Sequence, residues 1–168
     1  MGVAWMPVWY VISVICFDKV KMFDQYTFYN LVLVVISFII NNPLLNTALF
    51  TNSMAICVSF HSILLHDSNA FYMMSHHNGT DPCIWYLLNF IGHILPIPVL
   101  YYRSIELYMG LIAGFTSCLH HLTWAFVRHK GLILNGAYLS KPPHVWYMLW
   151  TYAVLTHIMT GALLQLAS

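Results

Sequence analysis

The stretch that decides the fold is residues 26–43, YTFYNLVLVVISFIINNP. It holds an uncharged, mostly apolar run that ends at two asparagines and a proline. A helix that crosses the hydrocarbon core of a bilayer needs about 20 mostly apolar residues, with a range of about 17 to 25. Asn41, Asn42 and Pro43 are typical of a helix end. The stretch therefore predicts a membrane helix from about Tyr26 to Ile40, completed by a few flanking residues.

The composition of the whole chain supports this interpretation. Of 168 residues, 60% are hydrophobic and 7% are charged, and the mean hydropathy is +0.72. A soluble domain carries about 25% charged residues, because its surface faces water. We therefore expect a multi-pass integral membrane protein, folded as an all-α helical bundle in a single domain over residues 1–168. A formal net charge of +1 offers no basic face for phosphates, so we expect no nucleic-acid partner.

Charged residues, prolines and asparagines separate further apolar stretches along the chain. We expect six transmembrane helices, with five as the alternative number. Besides the stretch above, the predicted spans are Val3–Phe17, Asn46–Leu65, Cys83–Tyr102, a span after Glu106 that ends at Val127, and His144–Leu166. Pro96 and Pro98 interrupt the span that begins at Cys83, and the final span follows Lys141-Pro142-Pro143.

Histidine is the main functional signal in so apolar a chain, which contains ten of them. Those inside predicted spans are His61, His93, His120, His121 and His157. An ionisable side chain at membrane depth is costly and is by default a candidate for function. The alternative is a neutral imidazole that joins two helices by a hydrogen bond.

Three kinds of chemistry use histidines in this setting. A di-iron site needs several histidine clusters, and His61 with His66 could form one of them, but the other histidines lack partners at suitable spacing. Two axial imidazoles can hold a haem, and His93 and His157 lie near the middle of their spans. A single histidine can also act as a general base for a hydroxyl nucleophile. We expect no cofactor and no metal unless His93 and His157 bind haem.

Two stretches of the sequence are similar to the androgen-induced membrane hydrolases. Residues 26–33, YTFYNLVL, resemble the start of the second helix in that family, and Leu88-Asn89-Phe90-Ile91-Gly92-His93 before Leu95-Pro96 resembles the surroundings of its catalytic histidine. The likeness covers roughly residues 22–140. The family cleaves fatty-acid esters of hydroxy fatty acids with an intramembrane threonine and histidine. The resemblance implies that Thr27 is the nucleophile and His93 is the base.

A second resemblance concerns the end of this region. Asn135, Tyr138, Lys141 and Pro142 are similar to residues of a neighbouring group of six-helix membrane acyltransferases that use a cysteine and a histidine. No cysteine stands at the position of Thr27, which favours the hydrolase.

The helical rise tests whether this pair can meet. Thr27 lies in the first turns of its span, whereas His93 is about ten residues into its own, which is about 15 Å at 1.5 Å per residue. We therefore expect a gap of several ångströms in depth, which helix tilt and the lean of side chains toward the helix N-terminus have to close. Asn89, one turn before His93 on the same face, is a candidate to orient the imidazole or to donate to an oxyanion.

Our first hypothesis is therefore an intramembrane lipid ester hydrolase with Thr27, His93 and Asn89 at its catalytic site. Its partners would be membrane lipids or a fatty-acyl substrate. The alternatives are a non-catalytic subunit of a larger membrane complex and a haem-binding membrane protein.

Overall fold

The fold is known from a computed structural model that describes residues 26–67, 81–103, 105–134 and 143–168, with Asn69, Tyr72, Ser75, His76 and Gly79 between the first two ranges. These residues form helices, and no strand occurs among them. The helices are α1 (Tyr26–Ile40), α2 (Pro43–His66), α3 (Pro82–His93), α4 (Pro96–Tyr101), a short 3₁₀ helix (Leu107–Met109), α5 (Gly110–His129) and α6 (Pro143–Leu166). The all-α prediction is confirmed. The predicted span Val3–Phe17 lies outside the described residues.

Prolines and asparagines mark the helix boundaries. Helices α2, α3, α4 and α6 each begin with a proline, where the missing N–H is not needed by the helix. Asn41 ends α1 in the left-handed region, with a φ of 47°. Asn42 then caps α2, because its side chain accepts a hydrogen bond of 3.0 Å from the backbone N–H of Leu45. The break between the first two helices is thus built from the residues that predicted it.

The predicted interruption near Pro96 is a real break. Helix α3 ends at His93, and the turn residues Ile94 and Leu95 separate it from α4. Pro96 has no N–H to continue the ladder, and its ring would clash with the carbonyl four residues earlier. Pro98 lies in the first turn of α4, where a proline disrupts no hydrogen bond. This break makes His93 the last residue of its helix.

The bundle centres on α2, α5 and α6, which pack against one another, while α1 packs against α2. Helices α5 and α6 approach so closely that their glycines leave no room for a side chain. A Cβ added to Gly161 would lie 2.5 Å from the carbonyl oxygen of Gly110, and one added to Gly114 would lie 2.6 Å from that of His157. Small residues four apart allow such close helix contacts in membrane proteins.

Beside its apolar core, the bundle buries several polar side chains and exposes many large apolar ones. Asn30, Asn46, Thr51 and Asn52 are buried, each with 1% or less of its surface exposed. Outward positions carry exposed apolar side chains, which on α5 are Leu111, Ile112, Phe115, Leu119, Phe126 and Val127. Within the described residues, three segments are long and apolar enough to cross a membrane, namely Pro43–His66, Pro82–Tyr101 and Pro143–Leu166, and α1 is a shorter apolar helix. These features indicate a membrane-associated protein.

Candidate active site

A threonine and a histidine from separate helices meet inside the bundle. The hydrogen bond between Thr27 Oγ1 and His93 Nε2 is 2.9 Å long. Thr27 lies in the first turn of α1 and is half-buried, whereas His93 ends α3 and is only 5% exposed. The ring of Phe60 on α2 packs on the imidazole, with 4.3 Å between ring centroids. A hydroxyl bonded to an imidazole is the arrangement that nucleophilic catalysis requires.

The expected gap in depth between Thr27 and His93 is closed in the structure. His93 is at the far end of a helix of 12 residues, about 16 Å from its start at 1.5 Å per residue. Thr27 lies at the start of α1, yet it is in contact with His93. The two helices must therefore begin at different depths, or α3 must be inclined to α1. The prediction of a gap assumed that both spans start at the same depth.

The pair lines a cavity of about 100 Å³. Its wall is mainly apolar and draws on α1, α2, α3, α5 and α6, with Trp85, Trp146 and Trp150 among its larger side chains. The polar residues of the wall are Tyr26, Thr27, Ser59, Asn89, His93 and His121. An apolar site with a few polar groups is typical of small-molecule binding. The position of Thr27 and His93 in the same wall makes this cavity the candidate active site.

Asn89 belongs to the cavity wall, but it does not orient the imidazole. Its Nδ2 donates to the backbone oxygen of Trp85 over 2.7 Å. The Nδ1 atom of His93 is buried and has no hydrogen-bond partner among the described residues. The structure thus brings Thr27 and His93 together and places Asn89 beside them, and no third side chain of the described ranges forms a hydrogen bond with the base.

Two residues at this site were not predicted from the sequence. The hydroxyl of Ser59 is buried in the wall and lacks a hydrogen-bond partner in the described part of the chain. Tyr26, next to Thr27, forms hydrogen bonds with Asn52 Oδ1 over 3.0 Å and with His120 Nδ1 over 2.7 Å. Its adjacency to Thr27 was a usable signal, whereas nothing in the sequence distinguishes Ser59 from other helical serines.

A buried polar network continues from the cavity into the bundle. His121 stacks on Tyr26 with 3.7 Å between ring centroids, and its Nδ1 lies 3.4 Å from Nε2 of His157. Nδ1 of His157 is bonded to Ser117 Oγ over 2.9 Å, and that hydroxyl is bonded to Thr51 over 2.7 Å. These contacts join α1, α2, α5 and α6, as expected of histidines that hold helices together.

The proposed haem pair does not fit this arrangement. Nε2 of His93 is bonded to Thr27, and Nε2 of His157 faces His121. His157 is also absent from the cavity wall. Nε2 of each imidazole therefore already has a partner within the bundle. His61 and His66 are exposed, and the described ranges contain no group of three or more His, Cys, Asp or Glu residues able to hold a metal ion.

Comparison of the chain with protein-family models, with curated proteins and with solved structures gives no match. Asn135, Tyr138, Lys141 and Pro142, which carry the resemblance to the acyltransferases, lie outside the described residues.

Proposed function

We propose that this chain is a multi-pass integral membrane protein that hydrolyses fatty-acyl esters, as the androgen-induced membrane hydrolases do. The observation that carries the proposal is the 2.9 Å hydrogen bond between Thr27 and His93. The resemblance assigns the nucleophile and the base to these two positions, which are 66 residues apart in the chain. Their contact inside an apolar cavity supports both assignments.

The geometry supports acyl transfer to Thr27. When the imidazole carries its proton on Nδ1, Nε2 can accept the proton of the threonine hydroxyl. Oγ1 then attacks the ester carbonyl carbon, and His93 returns the proton to the departing alkoxide as the ester C–O bond breaks. Water, deprotonated by the same imidazole, attacks the acyl-threonine and releases the fatty acid, while His93 returns the proton to Thr27.

The cavity suits the reacting end of a lipid. At about 100 Å³ it has room for an ester group and a few methylenes, since an engineered apolar cavity of about 150 Å³ holds one benzene. The long acyl chains would extend beyond it. Because the outward faces of the helices are apolar, we expect substrate to enter from the bilayer.

Hydrolysis of an ester between a long-chain fatty acid and a hydroxy fatty acid tests the proposal. Purified protein in detergent is expected to release free fatty acid, and Thr27→Val and His93→Gln are expected to abolish most of this release. Thr116→Ala and His144→Ala are matched controls, because both residues are exposed and neither lines the cavity. No release by folded wild-type protein would contradict the proposal.

A second candidate is a non-catalytic subunit of a larger membrane complex. The buried contacts of His121 and His157 with Ser117 and Thr51 favour it, because they show histidines that join helices. This candidate requires no reaction at Thr27, so inactivity of folded wild-type protein would favour it.

A further inference from the structure

Ser59 is a polar residue of the cavity wall whose buried hydroxyl is not accounted for by the contacts described above. It lies on α2, next to Phe60, which packs on the imidazole of His93. Its Oγ is buried and has no hydrogen-bond partner in the ranges that the structure describes. A buried hydroxyl without a partner is costly and calls for an explanation. An acceptor supplied by a bound ligand would satisfy it.

The hydroxyl of Ser59 is buried without the local hydrogen bond that several other helical hydroxyls of this protein form. The hydroxyls of Thr47, Thr116, Thr151 and Thr156 each donate to the carbonyl oxygen four residues earlier, over 2.7 to 2.8 Å. A serine or threonine within a helix usually forms such a local hydrogen bond with its own backbone. Ser59 instead leaves its hydroxyl free in the wall of the cavity that holds Thr27 and His93.

Asn89 differs from Ser59 as a donor to an oxyanion, because one of the two N–H groups of its amide is already used within the protein. One N–H of its amide already donates to the backbone oxygen of Trp85. This bond fixes the amide on its own helix. A donor to an oxyanion has to be available and preorganised, and it acts only when charge develops on the carbonyl oxygen. The unpartnered hydroxyl of Ser59 meets the first requirement.

We propose that Ser59 is a further catalytic residue, whose hydroxyl donates a hydrogen bond to the carbonyl oxygen of the acyl ester that Thr27 attacks. This inference rests on the proposed function. As Oγ1 of Thr27 bonds to the carbonyl carbon, the C=O electron pair moves onto oxygen, and His93 holds the threonine proton. The Ser59 hydroxyl stabilises this oxyanion until the C–O bond to the leaving alcohol breaks and the carbonyl reforms.

Steady-state kinetics on the same fatty-acyl ester test the inference. Loss of one oxyanion donor lowers kcat by about 10² to 10³, so Ser59→Ala is expected to lose about that factor in kcat with little change in KM. Ser62→Ala is the matched control, since Ser62 is on the same helix and does not line the cavity. The thermal midpoint of Ser59→Ala is expected not to fall, because the hydroxyl has no partner to lose.

A second pair of variants keeps the test independent of packing. The side chains introduced by Ser59→Thr and Ser59→Val have the same shape as each other and differ only in the hydroxyl. The inference therefore predicts that Ser59→Thr is active and that Ser59→Val loses activity. Equal kcat in this pair, with an active wild type and an inactive Thr27→Val, would overturn the role of Ser59 and leave the proposed function standing. An inactive wild type, or an active Thr27→Val, would overturn both.

Discussion

Thr27 Oγ1 lies 2.9 Å from His93 Nε2, although Thr27 lies in the first turn of α1 and His93 ends α3. The break before Pro96 ends the helix at this histidine, and the ring of Phe60 packs on it from α2. Three elements thus fix the geometry of two side chains. If the pair is catalytic, the activity of each variant has to depend on whether the hydroxyl at residue 27 and the imidazole at residue 93 are kept.

The hydroxyl of Thr27 is expected to be the essential feature of that residue. Thr27→Ser keeps the hydroxyl, so we expect activity to remain measurable, whereas Thr27→Val keeps the shape and is expected to be inactive. His93→Gln is expected to lower kcat by about 10² to 10⁴, the usual contribution of a general base. Release of fatty acid measures these effects. An active Thr27→Val would show that the hydroxyl is not the nucleophile.

The contact between α5 and α6 is expected to tolerate no side chain at Gly161. Its Cβ would lie 2.5 Å from the carbonyl oxygen of Gly110, and overpacking of this kind costs about 1 to 3 kcal/mol. Gly161→Ala is therefore expected to lower the thermal midpoint in detergent. Gly131→Ala is the control, because nothing lies within 4 Å of its added Cβ. Equal midpoints would show that the two helices are not so close.

Asn30 and Asn52 are expected to stabilise the bundle as a pair. Nδ2 of Asn52 donates to Oδ1 of Asn30 over 2.7 Å, and Nδ2 of Asn30 donates to Ser53 Oγ over 3.0 Å. Hydrogen bonds between membrane helices contribute about 1 to 2 kcal/mol in model peptides. We expect Asn30→Ala and Asn52→Ala each to destabilise the protein and the double variant to lose less than the sum. Strict additivity in thermal unfolding would contradict the pairing.

We expect that the protein does not bind haem, because of the contacts that the two candidate ligands, His93 and His157, already make. His93 is bonded to Thr27, and His157 is bonded to Ser117 and faces His121. Protein expressed with added haem precursor is therefore expected to show no Soret band. A band that disappears in both His93→Ala and His157→Ala would restore haem as the function.

The ends of several helices could be predicted, because proline and asparagine end a helix through their own backbone conformation and hydrogen bonding. The predicted end at Ile40 and the predicted break near Pro96 both match the structure. Helix α2 begins three residues before its predicted start at Asn46, because Pro43 is compatible with the first position of a helix. Position along the chain does not report how helices are inclined, so the helical rise alone could not decide whether Thr27 and His93 meet, as they do in the structure.

The pairing of side chains across helices could not be predicted from the residues themselves. Thr27 and His93 were linked by the resemblance to a family. The sequence predicts His121 and His157 within membrane spans, but no spacing pairs positions on separate helices. The sequence does not distinguish Ser59, because most helical hydroxyls bond to their own backbone, and only the structure shows that this one does not.

The most direct measurement is the site of covalent labelling by a fluorophosphonate probe, mapped by peptide mass spectrometry on the detergent-solubilised protein. We expect the phosphonyl adduct on Thr27 in the wild type, because the Thr27 oxygen displaces fluoride while His93 takes its proton. We expect no adduct on residue 27 in Thr27→Val or His93→Ala variants that remain folded. A folded wild-type protein without an adduct, or with its adduct on another residue such as Ser59, would contradict the account.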